Sequence, residues 1–166
     1  MAITKLIADS ITSGAITLGT NFFSAKNVTA DVTFSHGSNV LVPFDTEISD
    51  VDGVYNNTSG NYKFTCQTAG WHYFEASVVK DGGDKSRQVQ ISFFKNGSGL
   101  DQSSVMWDTY NSDTFRDTTF KNHTIKYLNA GDYIQVYFYQ TQSDGGSSDY
   151  DHASGKNVFS GYRIAQ

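Results

Sequence analysis

From about residue 31 onward, apolar and polar positions alternate with a period of two. In QVQISFFKNGSG, Val89, Ile91 and Phe93 alternate with Gln88, Gln90 and Ser92, and Lys-Asn-Gly closes a hairpin. VTFSHG, NVLVPFDTEIS, YKFTCQ, WHYFEASVVK, YIQVYFYQ and NVFSGYRI read as further strands, and DTYNSDTFRDTTFKNHTIKYL holds two more. KDGGDKSR and NAGD read as turns, TQSDGGSSDYDHASG as a long polar loop, and Pro43 marks an edge or a bulge. Short strands every 8 to 12 residues predict an all-β sandwich or jelly roll. Two strands are apolar on both faces. In one, Trp71 and Tyr73 alternate with His72, Phe74, Ala76 and Val78. In the other, Ile134, Val136 and Phe138 suit a core, while Tyr133, Tyr137 and Tyr139 fall opposite. A strand apolar on both faces is buried on both, and an uncovered aromatic patch is a liability.

The first 30 residues differ. Ile3, Leu6, Ile7, Ile11, Ile16 and Leu18 keep no single period among Ser, Thr and Ala. A helix over 2–10 is one reading; an extended arm lying on a partner is the preferred one. The expected organisation is an attachment arm over residues 1–30 and a jelly-roll domain over 31–166.

Composition narrows the function. The 166 residues suit one domain with a sizeable core. A net charge of −5 argues against nucleic-acid binding, which needs a basic footprint, and against an anionic membrane surface. No window is apolar enough for a membrane span, and the N-terminus lacks a signal-peptide core, so synthesis without a secretion signal is expected. The Asn-x-Ser/Thr triplets at Asn27, Asn56, Asn57, Asn96 and Asn122 then carry no meaning as glycosylation sites.

Catalytic signals are absent. There is no phosphate-binding glycine loop, no His-Glu-x-x-His and no Gly-x-Ser-x-Gly, so no enzyme is expected. His36, His72, His123 and His152 lack metal-ligand spacing. Cys66, the one cysteine, reads as a buried strand residue; His72, six positions on, is the base that a reactive thiol would need. Asp144, Asp149 and Asp151 share a Gly/Ser-rich loop, and Asp81 and Asp84 another. Such flexible carboxylates are candidate calcium ligands without an EF-hand pattern; solvated turn residues are the plainer reading.

The order of motifs resembles the globular domain of the complement C1q family, within the wider C1q and tumour-necrosis-factor-like jelly rolls. Phe44, Asp50, Tyr55, Phe64, Gly70 and Phe74 fall at the family's aromatic, Asp and Gly positions. ISFFKNG, YLNAGDYIQVYFY and VFSGYRI resemble its central strand and turn, its Leu-x-x-Gly-Asp strand pair and its closing strand. The departures are a two-residue insertion between Tyr55 and Phe64, His72 in place of the usual Tyr, and no collagen-like stalk ahead of the domain. Without a stalk, complement-type effector function is not carried over. The resemblance implies a ten-stranded jelly-roll sandwich and a homotrimer. Tyr133, Tyr137, Tyr139, Trp71 and Tyr73 are the expected trimer interface. Some relatives hold calcium near the trimer apex.

The opening MAITKLIADSITSGAITLGT resembles the starts of tail-associated and head-fibre proteins of marine and cyanobacterial phages. It implies a virion surface protein made in the host cytoplasm: a capsid-decorating head fibre or cement trimer. Ile3, Leu6, Ile7, Ile11, Ile16 and Leu18 would dock on a capsid or tail protein, with the knob outward. The alternatives are a receptor- or glycan-binding tip of a tail fibre, contacting a host-surface glycan or protein, and a C1q-like cellular binding module.

Overall fold

The computed structural model describes residues 21–29, 32–80, 86–106, 117–147 and 155–165, with the backbone alone over 102–106. Eleven strands are formed among the described residues: β1 (Phe23–Lys26), β2 (Asn39–Leu41), β3 (Thr46–Asp50), β4 (Tyr55–Asn56), β5 (Lys63–Thr65), β6 (Gly70–Lys80), β7 (Ser86–Lys95), β8 (Ser98–Met106), β9 (Thr118–Leu128), β10 (Tyr133–Gln142) and β11 (Val158–Ala165). They make two antiparallel sheets. One has the order β3-β1-β11-β6-β9; the other runs β4-β5-β10-β7-β8, with β2 also paired to β10. The all-β jelly-roll expectation holds, with eleven strands among the described residues where ten were expected.

The domain boundary expected at residue 31 moves back. Phe23–Lys26 form β1, paired with β11 on one side and β3 on the other. Phe23 is fully buried and stacks on Tyr55 (ring centroids 5.1 Å) and Phe64 (5.3 Å), with Phe159 edge-on at 4.8 Å. Four residues suffice because their partners come from elsewhere. After the strand, Asn27 donates from Nδ2 to the Pro43 carbonyl (2.8 Å), and Asp45 accepts from the amides of Val28 (3.2 Å) and Thr29 (3.3 Å).

Period-two alternation builds the core between the sheets. Phe74, Ala76 and Val78 of β6 face Val89, Ile91 and Phe93 of β7 and Ile134, Val136 and Phe138 of β10, all buried. Along one edge, polar side chains of β9 close the sandwich. Asn122 Nδ2 donates to the Ile91 carbonyl (3.1 Å), Thr124 donates to the Asp101 carboxylate, and Lys126 pairs with Asp101 at 3.3 Å. At the β7–β8 turn, Asn96 and Gly97 both have positive φ (51° and 80°), the backbone of a tight hairpin turn that follows the strand twist.

The Asn129–Asp132 turn is fastened to that hairpin through one carboxylate. Asp132 accepts from Lys95 Nζ (2.7 Å), Asn96 Nδ2 (2.7 Å) and the Asn129 amide (2.8 Å). The Lys95 and Asn96 hydrogen bonds hold its pKa down at about 2. The folded value lies below the ordinary carboxylate value near 4, so the contribution is complete above about pH 4 and is lost as pH falls toward 2. Lys95 is partly exposed, so solvent screens the pair, and Asp132→Asn is expected to cost about 1 kcal/mol at pH 7. Urea titrations at pH 7 and pH 2 check this: the wild-type advantage should be present at the first and largely lost at the second.

Candidate assembly surface

The outward side of the five-stranded sheet is apolar at one end. Alternation places Trp71 and Tyr73 of β6 outward, opposite the buried His72 and Phe74. In register beside them on β9 stand Tyr127 and Ile125, and Tyr162 of β11 is paired with Tyr73. The rings meet at the surface: Trp71 on Tyr127 edge-on at 5.7 Å, Tyr73 against Tyr162 at 5.4 Å. Trp71, Ile125, Tyr127, Tyr162 and Ile164 are between 44% and 53% exposed. Large apolar side chains gathered on one sheet end are the signature of an interaction surface rather than of scattered exposure.

Further along the same face the register turns polar. Glu75 lies opposite His123 on one side and Ser160 on the other, and Ser77 lies opposite Lys121. The Tyr73 hydroxyl joins the two zones by donating to Glu75 Oε2 at 2.9 Å, and its ring stacks near His123 at 6.3 Å. Burial first, then the hydrogen bond and charge of Glu75, push the Tyr73 hydroxyl above its ordinary pKa. It therefore stays a neutral donor.

Tyr133, Tyr137 and Tyr139 belong to β10, in the other sheet. They are half-buried on its outer side. Phe94 packs on Tyr137 at 4.2 Å, and Lys63 Nζ sits 4.8 Å from the centre of the Tyr133 ring. The five aromatics expected to form one interface thus lie on opposite outer faces of the sandwich. The structure brings Trp71 and Tyr73 together with Ile125, Tyr127, Tyr162 and Ile164, and it separates them from the three β10 tyrosines. A signal for the added residues exists in HTIKYL, where Ile125 and Tyr127 occupy the parity opposite to Leu128.

Cys66 and His72 meet inside the sandwich. Cys66 Sγ donates to the Thr68 carbonyl at 3.2 Å and lies 3.9 Å from His72 Nε2, while His72 Nδ1 is 2.9 Å from the Gly70 carbonyl. Both side chains are buried. Burial raises the thiol pKa and lowers that of the imidazole, so both are neutral and no thiolate is produced. The reading of Cys66 as a buried core residue holds, but it stands one position past β5 rather than within a strand.

The other candidates fare as follows. His36 Nδ1 accepts from the Gln142 amide at 3.1 Å. Asp144 accepts from the Gly146 amide at 3.0 Å, within its own loop. Asp149, Asp151, Asp81, Asp84 and His152 lie outside the described residues, as do Ile3, Leu6, Ile7, Ile11, Ile16 and Leu18. Among the described residues no three His, Cys, Asp or Glu side chains converge as a metal site.

Comparison with known proteins agrees with this architecture. The C1q domain family model matches residues 22–164. No match was found among curated protein sequences. Among solved structures, the Eiger TNF of S. frugiperda superposes with a TM-score of 0.62 at 11% identity, over 87% of this chain and 92% of that one. The globular domain of zebrafish complement 1qA gives 0.56 at 15% identity, over 88% and 98%. Murine APRIL gives 0.59 at 9% identity, over 86% and 98%. At these identities the structural likeness concerns the fold.

Proposed function

Because this chain belongs to the C1q domain family, we propose that it is a homotrimeric, non-enzymatic binding module that decorates a bacteriophage capsid as a head fibre or cement protein. The observation carrying the trimer is the apolar end of the five-stranded sheet, where Trp71, Tyr73, Ile125, Tyr127, Tyr162 and Ile164 share one outward face. A closed threefold association covers that face on every copy, and a symmetric ring leaves no unsatisfied patch for further growth. The phage context rests on the opening MAITKLIADSITSGAITLGT. Ile3, Leu6, Ile7, Ile11, Ile16 and Leu18 serve as attachment residues toward a capsid or tail protein. Three arms docking together raise effective concentration, so each contact can be weak. In this reading the knob stands at the virion surface and the protein is made in the host cytoplasm.

Deletion of residues 1–20, which spares β1, is expected to leave a folded trimer by native mass spectrometry while particle binding in co-sedimentation drops at least tenfold. Retention of full binding by the deletion overturns the arm assignment.

One observation favours the second reading, a receptor- or glycan-binding tip. The outer side of the six-stranded sheet carries Tyr137 and Tyr139, with Gln90 and Asn39 in register on either side of Tyr139. Rings flanked by amide groups suit a neutral sugar. On that reading, Tyr137→Ala with Tyr139→Ala abolishes adsorption to host cells while particle attachment survives. Calcium at Asp144, Asp149 and Asp151 belongs to the same open set: a chelator that dissociates the trimer makes these carboxylates ligands, and one that leaves it intact removes them.

A further inference from the structure

His72 occupies a site with no outlet for a second proton. Its Nδ1 is turned to the Gly70 carbonyl at 2.9 Å, which leaves Nε2 aimed at Cys66 Sγ, 3.9 Å away. The ring is fully buried, near Phe74 at 6.1 Å and almost parallel to it, and tilted against Phe64 at 5.5 Å. A proton placed on Nε2 would meet a thiol and two aromatic rings, none of which is a good acceptor for an imidazolium.

The charged neighbours give no relief. On β11, Arg163 is the cross-strand partner of His72. Its Nε is buried without a hydrogen-bond partner among the described residues and lies 2.8 Å from the place that a Cβ on Gly70 would take. On β9, Lys126 is the partner on the other side, already paired to Asp101 of β8. At the turn before β10, Asp132 is paired to Lys95 of β7. Asp101 and Asp132 are therefore each paired to a lysine, and Arg163, whose Nε has no hydrogen-bond partner among the described residues, stands cross-strand from the ring.

We propose that His72 is a proton-driven release for the end of β11: protonation sets two cations side by side on neighbouring strands and drives Arg163–Ala165 away from β6. The end of β11 is the part that can yield. Its ladder with β6 is already irregular between Arg163 and Ala165, and Ile164 and Ala165 are exposed. Tyr162 and Ile164 form one flank of the apolar surface, so the same event takes that flank from the assembly. This second consequence rests on the trimer reading above; the first does not. Burial lowers the pKa of His72, with Arg163 adding to the effect. The closed state is therefore complete above about pH 6.5 and weakens as pH falls below it.

The test is amide hydrogen exchange of the 162–165 segment at pH 7.5 and pH 5.0, corrected for intrinsic rates, with native mass measured in parallel. Wild type is expected to lose protection by up to about thirtyfold, the limit set by an open-state pKa near 6.5. His72→Tyr, the residue usual at this position in the resembling family, should hold its protection at both pH values. Arg163→Gln, which keeps the histidine and removes the facing cation, should lose several-fold less than wild type. Equal losses in wild type and His72→Tyr, or no loss in wild type, overturn the proposal. If His72→Tyr does not fold, equal losses in wild type and Arg163→Gln overturn it. A chain that is monomeric at pH 7.5 yet shows the histidine-dependent loss overturns the trimer reading and leaves the release standing.

Discussion

Gly161→Ala is expected to destabilise the domain by about 3 kcal/mol, with a fall in Tm of roughly 6–12 °C. Gly161 lies in β11 between Phe23 of β1 and Phe74 of β6, in register with both. A Cβ there would stand 2.5 Å from Phe74 Cδ1 and 2.9 Å from Phe23 Cε1. Neither ring can retreat. Phe74 is held edge-on by Phe64 at 5.1 Å, and Phe23 is stacked between Tyr55 and Phe64. The missing side chain is therefore part of the core packing, and overfilling so dense a site forces rings or strands apart. Guanidinium denaturation of the two proteins measures the loss. Pairing the change with Phe74→Leu, which shortens the blocking ring, should make the double variant less destabilised than the sum of the singles. A Tm shift below 2 °C for Gly161→Ala would mean that the rings are not fixed. Gly161→Val adds two more methyl groups and is expected not to fold.

The sandwich was legible in the chain because its strands obey a local rule. Val89, Ile91 and Phe93, and Ile134, Val136 and Phe138, alternate cleanly and are buried as the pattern requires. What local alternation cannot carry is which sheet a strand enters. Trp71 and Tyr73 looked like companions of Tyr133, Tyr137 and Tyr139 because all five are aromatics opposite a core face. Pairing with partners distant in the chain, such as Tyr127 for Trp71 and Ser92 for Tyr137, sends β6 and β10 to different sheets. Non-local pairing also hid β1. FSAK has two apolar positions, too few for a periodic signal, and its burial comes from β3 and β11. Ile125 and Tyr127 were visible as apolar residues on the unexpected parity of β9; their value as a surface appears only once β6 and β11 stand beside them. The Cys66–His72 contact was likewise invisible as geometry, since a turn of unknown shape separates the two residues.

A glutamate at Trp71 or Ile125 should convert the assembly from three chains to one. Both side chains point away from the core, so the monomer fold is expected to survive, with an unchanged far-ultraviolet spectrum. At the centre of an apolar contact, loss of an aromatic anchor costs about 2 kcal/mol, and a threefold ring suffers the change in every copy. Roughly 6 kcal/mol per trimer corresponds to about four orders of magnitude in the association constant. A buried, unpaired carboxylate adds to this in the same direction. Native mass spectrometry across a concentration series reads the effect directly. The control is Tyr139→Glu, on the opposite face of the sandwich, which should leave the mass at three chains. The reverse pattern, with Tyr139→Glu dissociating the protein and Trp71→Glu leaving it intact, would place the contact on the six-stranded sheet and return Tyr133, Tyr137 and Tyr139 to the interface. If both variants remain trimeric, neither face carries the association. The apolar end of the five-stranded sheet would then have to be covered by something other than a second copy of the chain.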